Sequence, residues 1–180
     1  MSMLAEGDTA PGFDLPTDGG GRLRSSDLEG KPYVIYFYPK DDTPGCTQEA
    51  IGFSGVHDRF QAAGVTVIGV SKDSVASHDK FKRKHGLAFP LASDEAGGLA
   101  EAYGVWVEKS MYGKTYMGIE RSTFLVGPDG RIARAWRKVS VPGHVEEVLA
   151  AAKSVAGCLS SESQKDFLDN GQDSGRTDRR

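Results

Sequence analysis

Residues 33–46 read YVIYFYPKDDTPGC. The first six, Tyr33 to Tyr38, are β-branched or aromatic with no polar break, the pattern of a strand buried on both faces. Pro39 stops the run, and a short polar loop leads to Cys46. Beyond it Phe53, Val56, Phe60 and Ala63 recur at spacings of three and four, which predicts an amphipathic helix closed by Gly64. Cys46 falls on the same stripe, in the first helical turn. Val65 to Val70 (VTVIGV) is a second buried strand. Strand, helix and strand in this order predict a parallel βαβ unit with a right-handed crossover.

Working outward, the segment Asp8–Leu28 is rich in Gly, Pro, Asp and Thr, and Gly19-Gly20-Gly21 suits a short hairpin. Downstream, Ser74–His85 carries Val75, His78 and Phe81 on one side of a helix. Phe89–Ala92 reads as a short strand interrupted by Pro90, and Gly97–Tyr103 as a short helix. Trp106–Glu120 shows no clean period and reads as a long loop. Ser122–Val126 and Ile132–Trp136 flank Pro128-Asp129-Gly130, a hairpin turn signal. Gly143–Ala156 presents Val145, Val148, Leu149, Ala152 and Val155 on one helical face. The order predicts a three-layer α/β domain with a mixed central sheet over residues 4–156. Residues 157–180 are Ser, Asp, Gln, Gly and Arg with few apolar side chains, and read as a polar, disordered tail.

Composition narrows the function classes. The chain has 180 residues, a net charge of −3 and both signs interspersed, with no basic stripe for nucleic acid. No apolar run approaches the ~20 residues of a membrane span, and no basic amphipathic helix suits a membrane surface. Met1–Gly7 lack the charged and apolar regions of a signal peptide. Two cysteines, Cys46 and Cys158, are too few for a disulfide scaffold, so a reducing, cytoplasmic setting is expected. There each thiol is either inert packing or chemistry.

The loop decides for chemistry at Cys46. Loops at the carboxyl ends of parallel strands are where α/β folds place their sites. A cysteine in the first turn faces unpaired backbone N–H groups and the positive end of the helix dipole, which favour an anion. That anion is the thiolate, the nucleophilic form, which a free cysteine of pKa ~8.5 supplies only in small part at neutral pH. Thr43 adds a hydroxyl near the sulfur, and Pro39 and Pro44 stiffen the loop. Read without its loop, Cys46 would be a small buried hydrophobe and Thr43 a helix cap. His57, His78, His85 and His144 show no metal-ligand spacing with one another or with the cysteines, which assigns them to packing or surface.

Pro39, Thr43 and Cys46 match the peroxiredoxin motif P-x-x-x-T-x-x-C. The longer string YPKDDTPGCTQEA, with GDTAPGFDLPTDGG before it and GVSKDS and RSTFLVGPDGRI after it, resembles the Q-type subfamily, the bacterioferritin comigratory proteins. The resemblance spans roughly Leu4 to Val155. It implies a thioredoxin-like fold and a thiol peroxidase for antioxidant defence, with Cys46 as peroxidatic cysteine and Arg121 as the arginine beside it. It implies peroxide as substrate, hydrogen peroxide or an organic hydroperoxide, and a thioredoxin-like or low-molecular-weight thiol as reductant. It also implies no metal, haem or flavin, and a monomer or weak homodimer. A redox sensor or chaperone-type protein using Cys46 as a switch is the competing reading. Thr43 and Arg121 together favour the enzyme, because a switch needs no groups that orient a peroxide. Glu49, on the Cys46 side of the helix, would oppose thiolate formation unless paired with a cation. The sequence departs from the family in recycling: the positions that carry a resolving cysteine in Q-type members hold Ile51 and Lys82. That leaves Cys158 as the candidate resolving thiol, or an external thiol acting alone.

Overall fold

The computed structural model describes residues 4–155. Its centre is a five-stranded mixed sheet. The strands are β3 (Tyr33–Phe37), β4 (Thr66–Ser71), β5 (Leu91–Ser93), β8 (Ser122–Val126) and β9 (Ile132–Trp136), in the order β5-β4-β3-β8-β9. β3 runs parallel to β4 and antiparallel to β8, and β4 runs parallel to β5. The parallel crossover expected from residues 33–70 is present, as is the terminal hairpin of β8 and β9. A small hairpin of β1 (Asp14–Pro16) and β2 (Arg22–Arg24) flanks the Gly19 turn.

The uninterrupted apolar run of β3 is explained by what covers each face. Val34, Tyr36 and Tyr38 join a cluster with Cys46, Phe53, Phe60, Phe81, Val148 and Ala152. Tyr33, Ile35 and Phe37 face the opposite cluster, with Val70, Leu99, Tyr103 and Phe124. One layer is therefore α1 (Pro44–Gly55), α2 (His57–Ala62), α3 (Val75–His85) and α5 (144–155), and the other includes α4 (Gly98–Ala102). Every residue of β3 is buried.

Two expectations change. The single helix expected between β3 and β4 is two, broken at Val56, whose φ of −114° and ψ of 16° are not helical. Gly52, Ser54 and Gly55 crowd the break with weak helix formers, while Phe53 and Phe60 still bury on the shared stripe. The long loop expected at Trp106–Glu120 is instead an antiparallel hairpin, β6 (Trp106–Met111) and β7 (Lys114–Ile119). Its two-residue turn places both Tyr112 (φ 53°) and Gly113 (φ 78°) in the left-handed region, as a tight hairpin turn of the primed type requires. Most of its residues are exposed or half-buried, so no face imposed a hydrophobic period on the sequence. Short strands and helices elsewhere shift only at their ends, as β5 does past Pro90. The tail at 157–180, with Cys158, lies outside the described residues.

Candidate active site

Helix α1 starts where the loop after β3 ends. Thr43 is its N-cap in extended conformation and Pro44 its first helical residue, a position that suits proline because its missing N–H has no acceptor there. Gly45 and Cys46 follow, so their N–H groups belong to the first turn, where helices lack internal acceptors. Cys46 is 1% exposed, on the face of α1 that packs on the sheet.

Arg121, immediately before β8, reaches this turn. Its Nη2 donates to Cys46 Sγ at 3.3 Å and its Nη1 donates to Glu49 Oε1 at 2.7 Å. Gly45 makes the approach feasible: a Cβ there would stand 3.0 Å from Arg121 Nη2. Burial pushes the guanidinium pKa down, but the Glu49 and Cys46 charges outweigh that and hold it above its ordinary value. Arg121 is thus a permanent cation forked between a sulfur and a carboxylate.

Glu49 is the residue the sequence left undecided. It pairs with the cation its position demanded, yet its side chain is fully buried and Oε2 has no hydrogen-bond partner among the described residues. Burial pushes its pKa up to about 7, and the Arg121 cation limits the rise. The short contact to Arg121 suits a carboxylate and the orphaned oxygen suits an acid; near neutral pH the two forms coexist. A stability slope follows. An unfolded Glu49 ionises near 4.5, while the folded one keeps its proton to about 7. Its contribution is full below pH 4.5 and is lost as pH rises through 7. The loss is on the order of 3 kcal/mol. Glu49→Gln, which keeps an acceptor for Arg121, is expected to remove that slope. Urea unfolding of both proteins at pH 5 and pH 7.5 checks it; parallel changes in the two would refute the assignment.

Thr43 does not touch the sulfur as drawn from the sequence. Its hydroxyl donates to the Lys40 carbonyl at 2.9 Å. With its hydrogen so engaged, the oxygen presents only lone pairs. Pro39 is exposed and borders a cleft of about 420 Å³ with Lys40, Lys72, Trp106, Lys109, Tyr116 and Met117. Burial pushes the Lys109 ammonium pKa down, and the Arg121 cation adds to the effect, so the cleft lies within electrostatic reach of the site. Cys46, Arg121 and Glu49 are therefore brought together, Thr43 caps the same turn, and Pro39 lines the adjoining cleft. Ile51 is 48% exposed, on the outer side of α1. Lys82 is engaged elsewhere, bonding Asp18 at 2.7 Å.

Sequence reading missed a second set of residues. Asp41, between Pro39 and Thr43, is buried and accepts from Tyr38 Oη (2.6 Å) and Ser77 Oγ (2.8 Å). Its Oδ2 also lies 2.7 Å from Nδ1 of His78, a fully buried residue of α3. The signal available was His78 on the apolar side of its helix, assigned above to packing.

Residues 6–135 match the AhpC/TSA family. The chain is 54% identical over 143 residues to a putative peroxiredoxin bcp of Coxiella burnetii, covering 79% of this chain and 95% of the relative. It is 49% identical over 150 residues to peroxiredoxin Bcp of Bacillus subtilis, covering 83% and 96%. Among solved structures, a cysteine-to-serine mutant of Xylella fastidiosa PrxQ superposes with a TM-score of 0.81 at 46% identity, covering 86% of this chain and 98% of that one. Xanthomonas campestris bacterioferritin comigratory protein, studied for alkyl peroxide reduction, superposes with a TM-score of 0.77 at 50% identity, covering 80% and 92%. The fold is thioredoxin-like, and the chain belongs to the AhpC/TSA family and, within it, to the Q-type peroxiredoxins, the bacterioferritin comigratory proteins.

Proposed function

We propose that Cys46 carries the thiol-dependent peroxidase activity of this chain as its nucleophile, with Arg121, Thr43 and the first turn of α1 orienting the peroxide. The Arg121 contact to Cys46 Sγ, at a helix N-terminus, is the observation that carries the reading. The thiolate attacks one oxygen of R–O–OH; the S–O bond forms, the O–O bond breaks, and RO⁻ leaves and takes a proton. Cys46 is left as a sulfenic acid. Arg121 faces the negative charge that moves from sulfur to the departing oxygen, and the free amides of the helix end add fixed donors. Thr43, with its hydrogen on the Lys40 carbonyl, accepts from the peroxide O–H. The cleft beside Pro39 gives room for the organic part of a hydroperoxide, as in the alkyl peroxide reduction studied in the Xanthomonas relative. Stopped-flow mixing of the reduced protein with one equivalent of hydrogen peroxide tests the reading. A sulfenic acid trapped by dimedone on Cys46 is the expected product, and a reduced Cys46 after mixing would refute it.

A thiol then reduces the sulfenic acid. We infer that an external thiol, thioredoxin-like or of low molecular weight, does so without a second cysteine of this chain. Ile51 and Lys82 carry no sulfur, and a disulfide needs Cα atoms within roughly 7 Å. Cys158→Ser is therefore expected to leave steady-state turnover essentially unchanged, because an external thiol needs no second sulfur of this chain. Without a fast resolving step, overoxidation to the sulfinic acid should compete at high peroxide. A Cys46–Cys158 disulfide in good yield, with turnover lost in the variant, would make Cys158 the resolving residue. The scarcity of cysteine suits a cytoplasmic enzyme, and we take it to act as a monomer or weak homodimer.

A further inference from the structure

We propose that Asp41 and His78 are positioning residues for the peroxidase reaction, a buried hydrogen-bonded pair that latches the Pro39–Thr43 loop over Cys46. The inference rests on the peroxidase reading above and assigns the group that holds its loop.

Hydrogen-bond accounting places a proton between the two groups. His78 Nε2 lies 3.0 Å from the Ala92 carbonyl, which only accepts, so this nitrogen carries a hydrogen. Nδ1 lies 2.7 Å from Asp41 Oδ2, which already accepts from Ser77. Oδ1 accepts from Tyr38. With that hydrogen between Nδ1 and Oδ2, both nitrogens of His78 and both carboxyl oxygens of Asp41 have partners, and Tyr38 Oη also lies 3.4 Å from Nδ1. The Asp41 backbone N–H in turn donates to Asp73 Oδ2 at 2.8 Å, so α3 and the turn after β4 both bond this loop residue, and β5 reaches it through His78. The next residue, Asp42, sits in the left-handed region with φ of 58°. The loop therefore bends sharply just beyond its anchor, and Thr43 and the first turn of α1 follow directly.

Stability alone does not account for such a pair. A buried polar pair adds little stability over apolar side chains of the same volume, but its hydrogen bonds hold one geometry. Here the geometry fixed is that of the loop entering the Cys46 helix. The two halves of the reaction ask opposite things of it. Attack on a peroxide needs Thr43 and the helix-end amides held in place. Reduction of the product, R–S⁻ + Cys46–S–OH + H⁺ → Cys46–S–S–R + H₂O, needs a second sulfur to reach a sulfur whose residue is 1% exposed. The closed latch favours the first step and slows the second.

The test measures the half-reactions separately in Asp41→Asn, His78→Asn, the double variant and the milder Ser77→Ala. Oxidation of the reduced protein by hydrogen peroxide is expected to slow roughly tenfold or more in each Asn variant, since misplacing reacting groups by ~1 Å costs up to about 100-fold. Reduction of the oxidised protein by dithiothreitol is expected to be as fast as in the native protein or faster. The double variant should be no slower in oxidation than the worse single one, as for two groups acting as a unit. Ser77→Ala should shift both rates the same way by a smaller factor, and it decides the matter if the Asn variants do not fold. Both half-reactions slowed by one common factor, or oxidation unchanged in a folded variant, would overturn the latch while leaving the peroxidase reading intact. A native protein inert to peroxide would overturn both.

Discussion

Replacing Cys46 with serine is expected to abolish peroxide consumption while leaving the fold in place. A serine hydroxyl supplies no accessible anion at neutral pH, and the nearby charges are built to favour one. Arg121 at 3.3 Å and the free amides of the helix turn stabilise charge already on the sulfur; they do not ionise an alcohol. The substitution is nearly isosteric. Cys46 packs among Tyr36, Ala50 and Phe53, and the serine oxygen would accept from Arg121 Nη2 in place of sulfur. The net stability change is about 1 kcal/mol, too little to unfold a domain of this size. Peroxide consumption by stopped flow, with circular dichroism on the same sample, reads both halves of the expectation. A tenth of the native rate persisting in a folded Cys46→Ser protein would remove Cys46 from the centre of the reaction.

The parts legible in the sequence are those where one residue type has one physical use. Tyr33–Tyr38 reads as a strand covered on both sides, and a cysteine at a helix start after such a strand points to thiol chemistry, with inert packing and a redox switch as its alternatives. Ile51 lies off the apolar stripe that Cys46 and Phe53 share, and it is exposed. The hairpin at Trp106–Ile119 was not legible because only its Ile119 and Trp106 end reaches the core. Its strands are held by pairing with each other, which hydropathy does not record. The break at Val56 was hidden because the apolar spacing runs through it undisturbed. Glu49 and Asp41 were illegible for another reason. Buried acids are recognised by their partners, Arg121 and His78, which lie 72 and 37 positions away in the chain. Only the folded sheet brings them together.

The same long-range pairing makes Arg121 the second most consequential residue. Arg121→Ala is expected to slow peroxide reduction by roughly 10- to 100-fold, since a charge-assisted contact contributes about 1.5–3 kcal/mol. The loss is twofold in origin. The reacting sulfur and the departing oxygen lose their cation, and Glu49, fully buried, loses the one group that bonds it among the described residues. An orphaned Glu49 would hold its proton still more firmly than it does at about 7, so the variant should not gain a second negative charge beside the thiolate at neutral pH. Arg121→Lys is expected to recover little. One ammonium cannot donate in fixed directions to Glu49 Oε1 and Cys46 Sγ at once, whereas the planar guanidinium does so at 2.7 Å and 3.3 Å. Gly45→Ala reaches the same contact without touching a charge. Its Cβ would press on Arg121 Nη2 at 3.0 Å, and the guanidinium would have to yield. That variant should fall between the native protein and Arg121→Ala in rate, with its thermal stability little changed. Second-order rate constants for hydrogen peroxide across the three variants check the order. A Gly45→Ala protein as fast as the native one, beside an Arg121→Lys protein at full rate, would show that the fork is structural and that the charge alone suffices.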